Sequence, residues 1–179
     1  DSVGLAESAA KGTAVRGVLR YSGQIGEAAM THSIRTVLWF NTRGREAAEF
    51  YCSLIPGSRV ERAMGGETFD VIDFTLGEVP YQILDAGPMF PQSECVSIAV
   101  QTETQAESDR LWAELTADGG QESMCGWLKD RFGVSWQVYP RALLDWTLNP
   151  DKAISERAMA AMMQMRRIDI AAIEAAVRG

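Results

Sequence analysis

The feature that most constrains the fold is a repeated order of predicted elements along the 179-residue chain. Residues 34–87 have the pattern of a strand, a helix and three strands, and residues 95–140 have it again. The closing strands also match in letters, since residues 79–83 (VPYQI) lie over residues 134–138 (VSWQV) at an offset of 55. The opening strands match at an offset of 60, which places Val37 over Ser97. Unless these short apolar runs match by chance, two similar halves pack around a pseudo-two-fold axis.

The segments outside the repeat differ from it in composition. Residues 1–32 are rich in Gly, Ala and Ser and have weak periodicity, so we expect an extension outside a core domain of residues 33–179. Residues 141–179 become helical, with Asn149 as N-cap before Pro150 and an apolar stripe at Ile154, Ala158, Met162 and Met165. The pattern therefore predicts an α+β fold of two tandem βαβββ modules followed by C-terminal helices.

Composition narrows the classes of partner. With 46% hydrophobic residues, 23% charged residues and a net charge of −7, the chain is typical of a globular domain and lacks the basic surface that binds nucleic acid or anionic membranes. No apolar run of about 18 residues occurs. Three cysteines without a CxxC motif indicate reduced thiols, and we expect a cytoplasmic protein that contacts neither nucleic acid nor membrane.

Histidine content restricts the chemistry further. His32 is the only histidine in the sequence, which excludes any site built from two or more imidazoles and leaves one candidate for a Ser-His or Cys-His pair. The glycine pairs Gly65–Gly66 and Gly119–Gly120 lack the GxG context of a nucleotide-binding loop. An S-adenosylmethionine site of the doubly wound type is therefore not visible.

Three stretches carry a resemblance to a known family. Residues 37–41 (VLWFN), 46–51 (EAAEFY) and especially 125–138 (CGWLKDRFGVSWQV) closely resemble the PhnB-like branch of the vicinal-oxygen-chelate superfamily, the glyoxalase, bleomycin-resistance and extradiol-dioxygenase group. Residues 168–174 (IDIAAIE) resemble its C-terminus. The resemblance implies a glyoxalase-like, cup-shaped mixed sheet built from the two modules. It also brings the family name 3-demethylubiquinone-9 3-methyltransferase.

The resemblance also indicates where a metal would bind. Metal-dependent relatives use mostly His and Glu on the first and last strands of each module. Those positions fall near Val37, Gln82, Ser97 and Gln137, and none of these side chains is a usual ligand of a transition metal. We therefore predict a protein without a bound metal or other cofactor.

The same positions are candidates for binding an organic ligand. The amides of Gln82 and Gln137 can orient a ligand, although buried amides equally often tie neighbouring strands together. Strand alternation places Trp39 and Asn41 on the side of Val37, where they can supply an aromatic wall and a polar handle. The predicted substrate-binding residues are Val37, Trp39, Asn41, Gln82, Ser97, Cys125, Trp127 and Gln137. Residues 129–131 (KDR) are expected to form a solvated hairpin tip.

These observations favour one function and leave others open. The favoured hypothesis is a metal-independent protein that binds an unknown small organic molecule, for sequestration or resistance. The resemblance implies a homodimer, and the apolar helical surface in residues 150–177 also favours one, because it exceeds what one small cup can cover. The alternatives are an enzyme, either the methyltransferase of the family name or a lyase or dioxygenase of the superfamily, and a purely dimeric interaction protein with a filled cup.

Overall fold

The computed structural model describes residues 34–66 and 68–179, and residues 34–179 form one compact unit. The first module contains β1 (Thr36–Phe40), α1 (Gly44–Leu54), β2 (Arg59–Gly65), β3 (Asp70–Leu76) and β4 (Val79–Asp85). The second contains β5 (Ile98–Thr102), α2 (Gln105–Thr116), β6 (Gln121–Glu122), β7 (Trp127–Lys129) and β8 (Ser135–Pro140). Three helices follow, α3 (Ala142–Thr147), α4 (Lys152–Met162) and α5 (Ile170–Arg178). The expected extension, residues 1–32, lies outside the described residues.

Each module forms its own open four-stranded sheet. The strand orders are β1-β4-β3-β2 and β5-β8-β7-β6. In both sheets the first strand pairs in parallel with the last, and the other described pairs are antiparallel. The predicted α+β class with tandem βαβββ modules and C-terminal helices is confirmed. Each module contributes one of two separate mixed sheets.

Strand register corrects one position of the repeat. Val37 lies opposite Gln82 in the first sheet, whereas Ala99 lies opposite Gln137 in the second. The residue equivalent to Val37 is therefore Ala99, and Ser97 stands two residues earlier. A shift of two residues keeps every side chain on the same face of a strand, so the alternating pattern could not detect it.

One apolar core joins the two modules. Helix α1 packs an apolar stripe into this core, since Ala47, Ala48 and Tyr51 are completely buried, and the helix ends just before Pro56 and Gly57. The rings of Tyr51 and Trp136, from different modules, meet edge to face with centroids 5.1 Å apart. Aromatic pairs at this distance add to the free energy gained from area burial. The modules are thus held together through the helix-covered face of each sheet.

A buried carboxylate lies between the modules, and it corrects the prediction for residues 129–131. Asp130 is 3% exposed. Its Oδ2 accepts hydrogen bonds from the Tyr51 hydroxyl at 2.7 Å and the Trp136 indole at 2.8 Å. Its Oδ1 accepts from the amides of Phe132 and Val134 at 2.8 and 3.0 Å. Burial raises the pKa of Asp130, and the four donors oppose that rise.

The C-terminal helices form a second apolar cluster of Leu143, Ala158, Ile168, Ile173 and Val177. The prediction of Asn149 as the N-cap of α4 is wrong, because Asp151 accepts the amide of Ala153 instead. The side-chain oxygen of Asn149 accepts a hydrogen bond from the backbone amide of Asp151, in the turn that precedes the helix. None of the helices in the described part of the chain is both long and apolar enough to cross a bilayer.

Candidate functional site

The two sheets each have a face turned away from the shared core, which we call the open face. Strand alternation and register place Val37, Trp39, Asp73 and Gln82 on the open face of the first sheet. The open face of the second sheet carries side chains of β5, β7 and β8, namely Ala99, Trp127, Lys129, Ser135, Gln137 and Tyr139. The predicted residues therefore divide between two surfaces.

On the first sheet, Gln82 belongs to a charged cluster that sequence analysis missed. Its Nε2 donates to Asp73 Oδ1 at 2.7 Å. Arg35 binds the same oxygen at 2.8 Å, and Arg62 binds Oδ2 at 2.5 Å. Asp73 is directly opposite Gln82 on the neighbouring strand. The amide of Gln82 thus ties two strands together, which was one of the two roles that the sequence left open.

The pKa of the Asp73 carboxyl reflects two opposing effects. Burial alone would raise the pKa, but hydrogen bonds from Gln82, Arg62 and Arg35 bring it below its ordinary value of about 3.9. A carboxylate whose pKa is lower in the folded state stabilises the protein above its unfolded pKa. That contribution disappears as the pH falls through the folded-state pKa.

We expect Asp73→Asn to lose about 1–3 kcal/mol of unfolding free energy at pH 7, since two charge-assisted hydrogen-bonding partners lose their anion. The difference from wild type should be constant above about pH 5 and should shrink below about pH 4, where the carboxyl of the unfolded wild-type chain takes up a proton before that of the folded protein does. Urea denaturation at pH 7, 5 and 3 measures it. Asp145→Asn, an exposed carboxylate on α3, is the control. A deficit that stays constant down to pH 3 would contradict the ionic role.

Trp39 and Asn41 line a cavity of about 370 Å³ at the junction of the modules. The Trp39 indole donates to Gly87 O at 2.8 Å, and its ring meets that of Phe90 at 4.8 Å. The Arg43 guanidinium lies 4.8 Å above the Phe132 ring, yet it is paired with Glu46. The contacts with Gly87 and Phe90 thus fix the Trp39 ring as one wall of this cavity. Val37 lies outside this cavity lining and is 52% exposed.

Four other predicted residues meet on the second sheet. Cys125, Trp127 and Gln137 line a cavity of about 300 Å³, and Gln137 Nε2 donates to Ser97 Oγ at 2.8 Å. Helices α3 and α4 form the opposite wall, so we call this cavity the second-sheet groove. Its remaining lining residues are Tyr139, Leu143, Leu144, Thr147, Met159 and Met162. The C-terminal helices thus complete a pocket to which sequence analysis assigned only the strand side.

Cys125 has no activating partner among the described residues. Its Sγ lies 3.5 Å from the sulfur of Met163. Its backbone is in the left-handed region, with φ +58°, which a non-glycine residue adopts at a cost of about 1–2 kcal/mol. A thiol beside a thioether has no base to take its proton. The surroundings favour a packing role for Cys125 in the groove wall.

Trp127 also lines a larger cavity, of about 430 Å³, at the other end of the same open face. We call this the outer cavity. Its polar lining comprises Glu94, Gln121, Glu122, Ser123, Lys129 and Ser135. Period-two alternation from Gln137 would have reached Ser135 and Tyr139 from the sequence. Met159 and Met162 could not have been found that way, because they lie on α4, and strand alternation does not fix the position of that helix relative to β8.

The residues at the expected metal positions do not fit a transition metal. Gln82 donates a side-chain N–H to Asp73, and Gln137 donates one to Ser97. The side chains of Val37 and Ala99 have no atom that can donate a lone pair to a metal. Within the described ranges no group of three or more His, Cys, Asp and Glu side chains is placed to hold a metal. His32 lies outside the described residues.

The fold and the two open faces define a protein of tandem βαβββ modules with a pocket on a sheet face. Residues 32–139 match the family model for 3-demethylubiquinone-9 3-methyltransferase. The chain belongs to this family, which confirms its resemblance to the PhnB-like branch of the vicinal-oxygen-chelate superfamily. No curated protein matches the chain significantly.

Two solved structures are similar to it. The first is a PhnB protein from Bacillus cereus, named for 3-demethylubiquinone-9 3-methyltransferase, with 29% identity over 61% of this chain and 99% of that one, and a TM-score of 0.56. The second is protein PA1353 from Pseudomonas aeruginosa, with 26% identity over 60% of this chain and 98% of that one, and a TM-score of 0.51. Each match leaves about two fifths of this chain uncovered.

Proposed function

We propose that this protein binds a small organic molecule in the second-sheet groove without a metal, in a sequestration or resistance role. The observation that carries the proposal is that Cys125, Trp127 and Gln137 line one cavity of about 300 Å³. This volume is at the lower end of known ligand pockets. The groove therefore suits a compact ligand or one part of a longer ligand.

The chemistry of the lining supports a mainly apolar ligand with a few polar contacts. Leu143, Leu144, Met159 and Met162 give the helix side an adaptable apolar surface. On the strand side, Gln137 keeps its carbonyl oxygen and one N–H for a ligand, since only one N–H is used on Ser97. Apolar walls with a few convergent polar groups are typical of small-molecule sites.

A thermal-shift screen of small molecules tests the proposal. A ligand at about 100 times its Kd should add about 2.7 kcal/mol of stability, which corresponds to a rise in Tm of roughly 5–10 °C for a domain of this size. Trp127→Ala should reduce the rise for true groove ligands. Trp39→Ala is the matched control, because Trp39 lines a different cavity. Hits that respond equally to both substitutions, or no hits, would contradict the proposed site.

The family name supplies a second candidate, methyl transfer. Each described sheet has one parallel pair and two helix-free connections between its strands, which differs from the doubly wound sheet that commonly binds S-adenosylmethionine. Calorimetric titration with S-adenosylmethionine separates the two candidates. Saturable binding of S-adenosylmethionine would make methyl transfer the favoured function. A titration without binding heat would favour the proposed binding of a small molecule in the groove.

Removal of metal should leave the protein unchanged. The chain as purified should contain no stoichiometric Zn, Fe, Mn or Ni, and excess EDTA should not change its Tm, because no metal binding energy contributes to folding. Elemental analysis and thermal denaturation with and without EDTA provide the measurements. About one metal ion per chain, lost together with stability on chelation, would overturn metal independence.

The proposal includes a cytoplasmic homodimer. Large apolar side chains are exposed on α4 and on both sides of it, with Met159 at 46%, Met163 at 55% and Leu148 at 74%, and exposed apolar surface of this kind favours association. The three unpaired cysteines are compatible with a reducing compartment. Sedimentation equilibrium should give about twice the mass of 19.6 kDa. A monomer at micromolar concentration would count against the dimer.

A further inference from the structure

The open face of the second sheet changes from polar to apolar along β8. Ser135, Gln137 and Tyr139 alternate onto this face, and Lys129 and Trp127 lie across from the first two. Ser135 lines the outer cavity, Tyr139 lines the second-sheet groove, and Trp127 lines both. From Ser135 to Tyr139 the strand rises about 13 Å. One elongated molecule could therefore contact both cavities along the Trp127 ring.

Ser135 is the unexplained polar group on this face. The residue is 2% exposed, and its Oγ has no hydrogen-bond partner among the described residues. Buried hydroxyls nearly always have a partner, because an unsatisfied one loses its hydration without compensation. Since Ser135 lines the outer cavity, a hydrogen-bonding group in that cavity would satisfy it.

The charges around the outer cavity are already balanced. Lys129 Nζ lies 2.5 Å from Glu94 Oε1, and Arg166 lies 3.5 Å from Glu122. Glu122 also accepts the Trp112 indole at 2.9 Å. A charged head group would therefore find no unpaired counter-ion among these side chains, and it would gain no electrostatic attraction that an uncharged head lacks. The lining therefore favours an uncharged ligand.

We propose that the ligand is an uncharged amphiphile. Its hydroxyl or carbonyl head hydrogen-bonds to Ser135 Oγ in the outer cavity, and its apolar part crosses Trp127 toward Met159 and Met162 in the groove. This inference rests on the proposed function, because it names the class of molecule that the same open face takes. It assigns Ser135 as the residue that selects the head group.

Three probes with one eight-carbon chain test the choice of head group: 1-octanol, octanoate and octylammonium. Binding is followed on the full chain at pH 7 by the ¹⁵N-labelled indole signal of Trp127, assigned with Trp127→Phe. We expect 1-octanol to shift this signal saturably. The two charged probes should bind at least about tenfold more weakly, since each must give up part of the hydration of its charge without gaining an unpaired counter-ion.

Ser135→Ala tests the hydrogen bond and is compared with Thr75→Val. Thr75 Oγ1 is also buried without a partner, but it lies on the first sheet and outside both cavities. Removing an unsatisfied hydroxyl should leave the Tm of Ser135→Ala unchanged or higher. Its Kd for 1-octanol should rise about three- to tenfold, the range that one hydrogen bond accounts for. Thr75→Val should bind like wild type.

The outcomes separate this inference from the proposed function. Octanoate or octylammonium binding as tightly as 1-octanol would overturn the uncharged head, and an unchanged Kd in Ser135→Ala would overturn the role of Ser135. Failure of all three probes while screened compounds still stabilise the chain through Trp127 would overturn the amphiphile and leave the groove function standing. Failure of the probes and of the screen would overturn both.

Discussion

Asp130→Asn should destabilise the protein by about 2–4 kcal/mol, although it changes a single oxygen to an amide nitrogen. Each carboxylate oxygen of Asp130 accepts two donors. If the new NH₂ group faces Phe132 and Val134, both backbone amides lose their acceptor. If it faces Tyr51 and Trp136, the tyrosine hydroxyl can rotate to accept, but the indole N–H cannot. At least one buried donor is left unsatisfied, and the remaining bonds lose their charge assistance.

Urea denaturation with a fixed m-value measures the effect. Asp151→Asn is the control for the same chemical change, because Asn and Asp cap helices equally well and Asp151 is exposed. Tyr51→Phe should fall between wild type and Asp130→Asn, since it removes one donor and leaves three. An Asp130→Asn variant within 0.5 kcal/mol of wild type would show that the four hydrogen bonds to the Asp130 carboxylate contribute little to stability.

Gly126→Ala should lower the unfolding free energy by about 2–5 kcal/mol and loosen the C-terminal segment. Gly126 has φ +82°, and a Cβ at this position would lie 2.8 Å from the carbonyl oxygen of Val138 and 3.2 Å from Ile168. Alanine is strained in the left-handed region by about 1–2 kcal/mol, and the contact with backbone adds a packing penalty of about 1–3 kcal/mol.

Two contacts explain why the effect should spread to the groove. The amides of Cys125 and Gly126 donate to Met165 O at 2.8 Å and Arg166 O at 2.7 Å. These bonds hold the segment between α4 and α5 against the second sheet, and α4 forms one wall of the groove. Displacing Gly126 should therefore increase hydrogen exchange at both amides.

Gly57→Ala isolates the steric part of this prediction. Gly57 has a similar φ of +77°, but a Cβ there would meet nothing within 4 Å. The unfolding free energy of Gly57→Ala should fall only by the conformational cost of about 1–2 kcal/mol. Equal urea midpoints for the two variants would contradict a clash at Gly126, and unchanged exchange at Cys125 would contradict its role in holding the C-terminal segment.

Local patterns predicted the architecture because they depend on nearby residues. In the structure, the alternation of the strands, the apolar stripe of Ala47, Ala48 and Tyr51 on α1 and the N-cap side chains of Thr104 and Asp169 all depend on residues close to one another in sequence. The matched glutamines, Gln82 and Gln137, occupy equivalent strand positions as the repeat predicted. The part of the site that comes from one strand pair, Trp127 with Gln137, could therefore be reached from the sequence.

By itself, then, the sequence determined the two modules, their order and the face on which each strand residue lies. Only the tertiary structure decided the two-residue shift from Ser97 to Ala99, since both positions share a face. It also decided that Asp130 is buried, because the donors from Tyr51 and Trp136 lie 79 and 6 residues away. The placement of α3 and α4 over the second sheet depends on apolar packing between distant segments, which is non-directional and leaves no periodic signal in the chain.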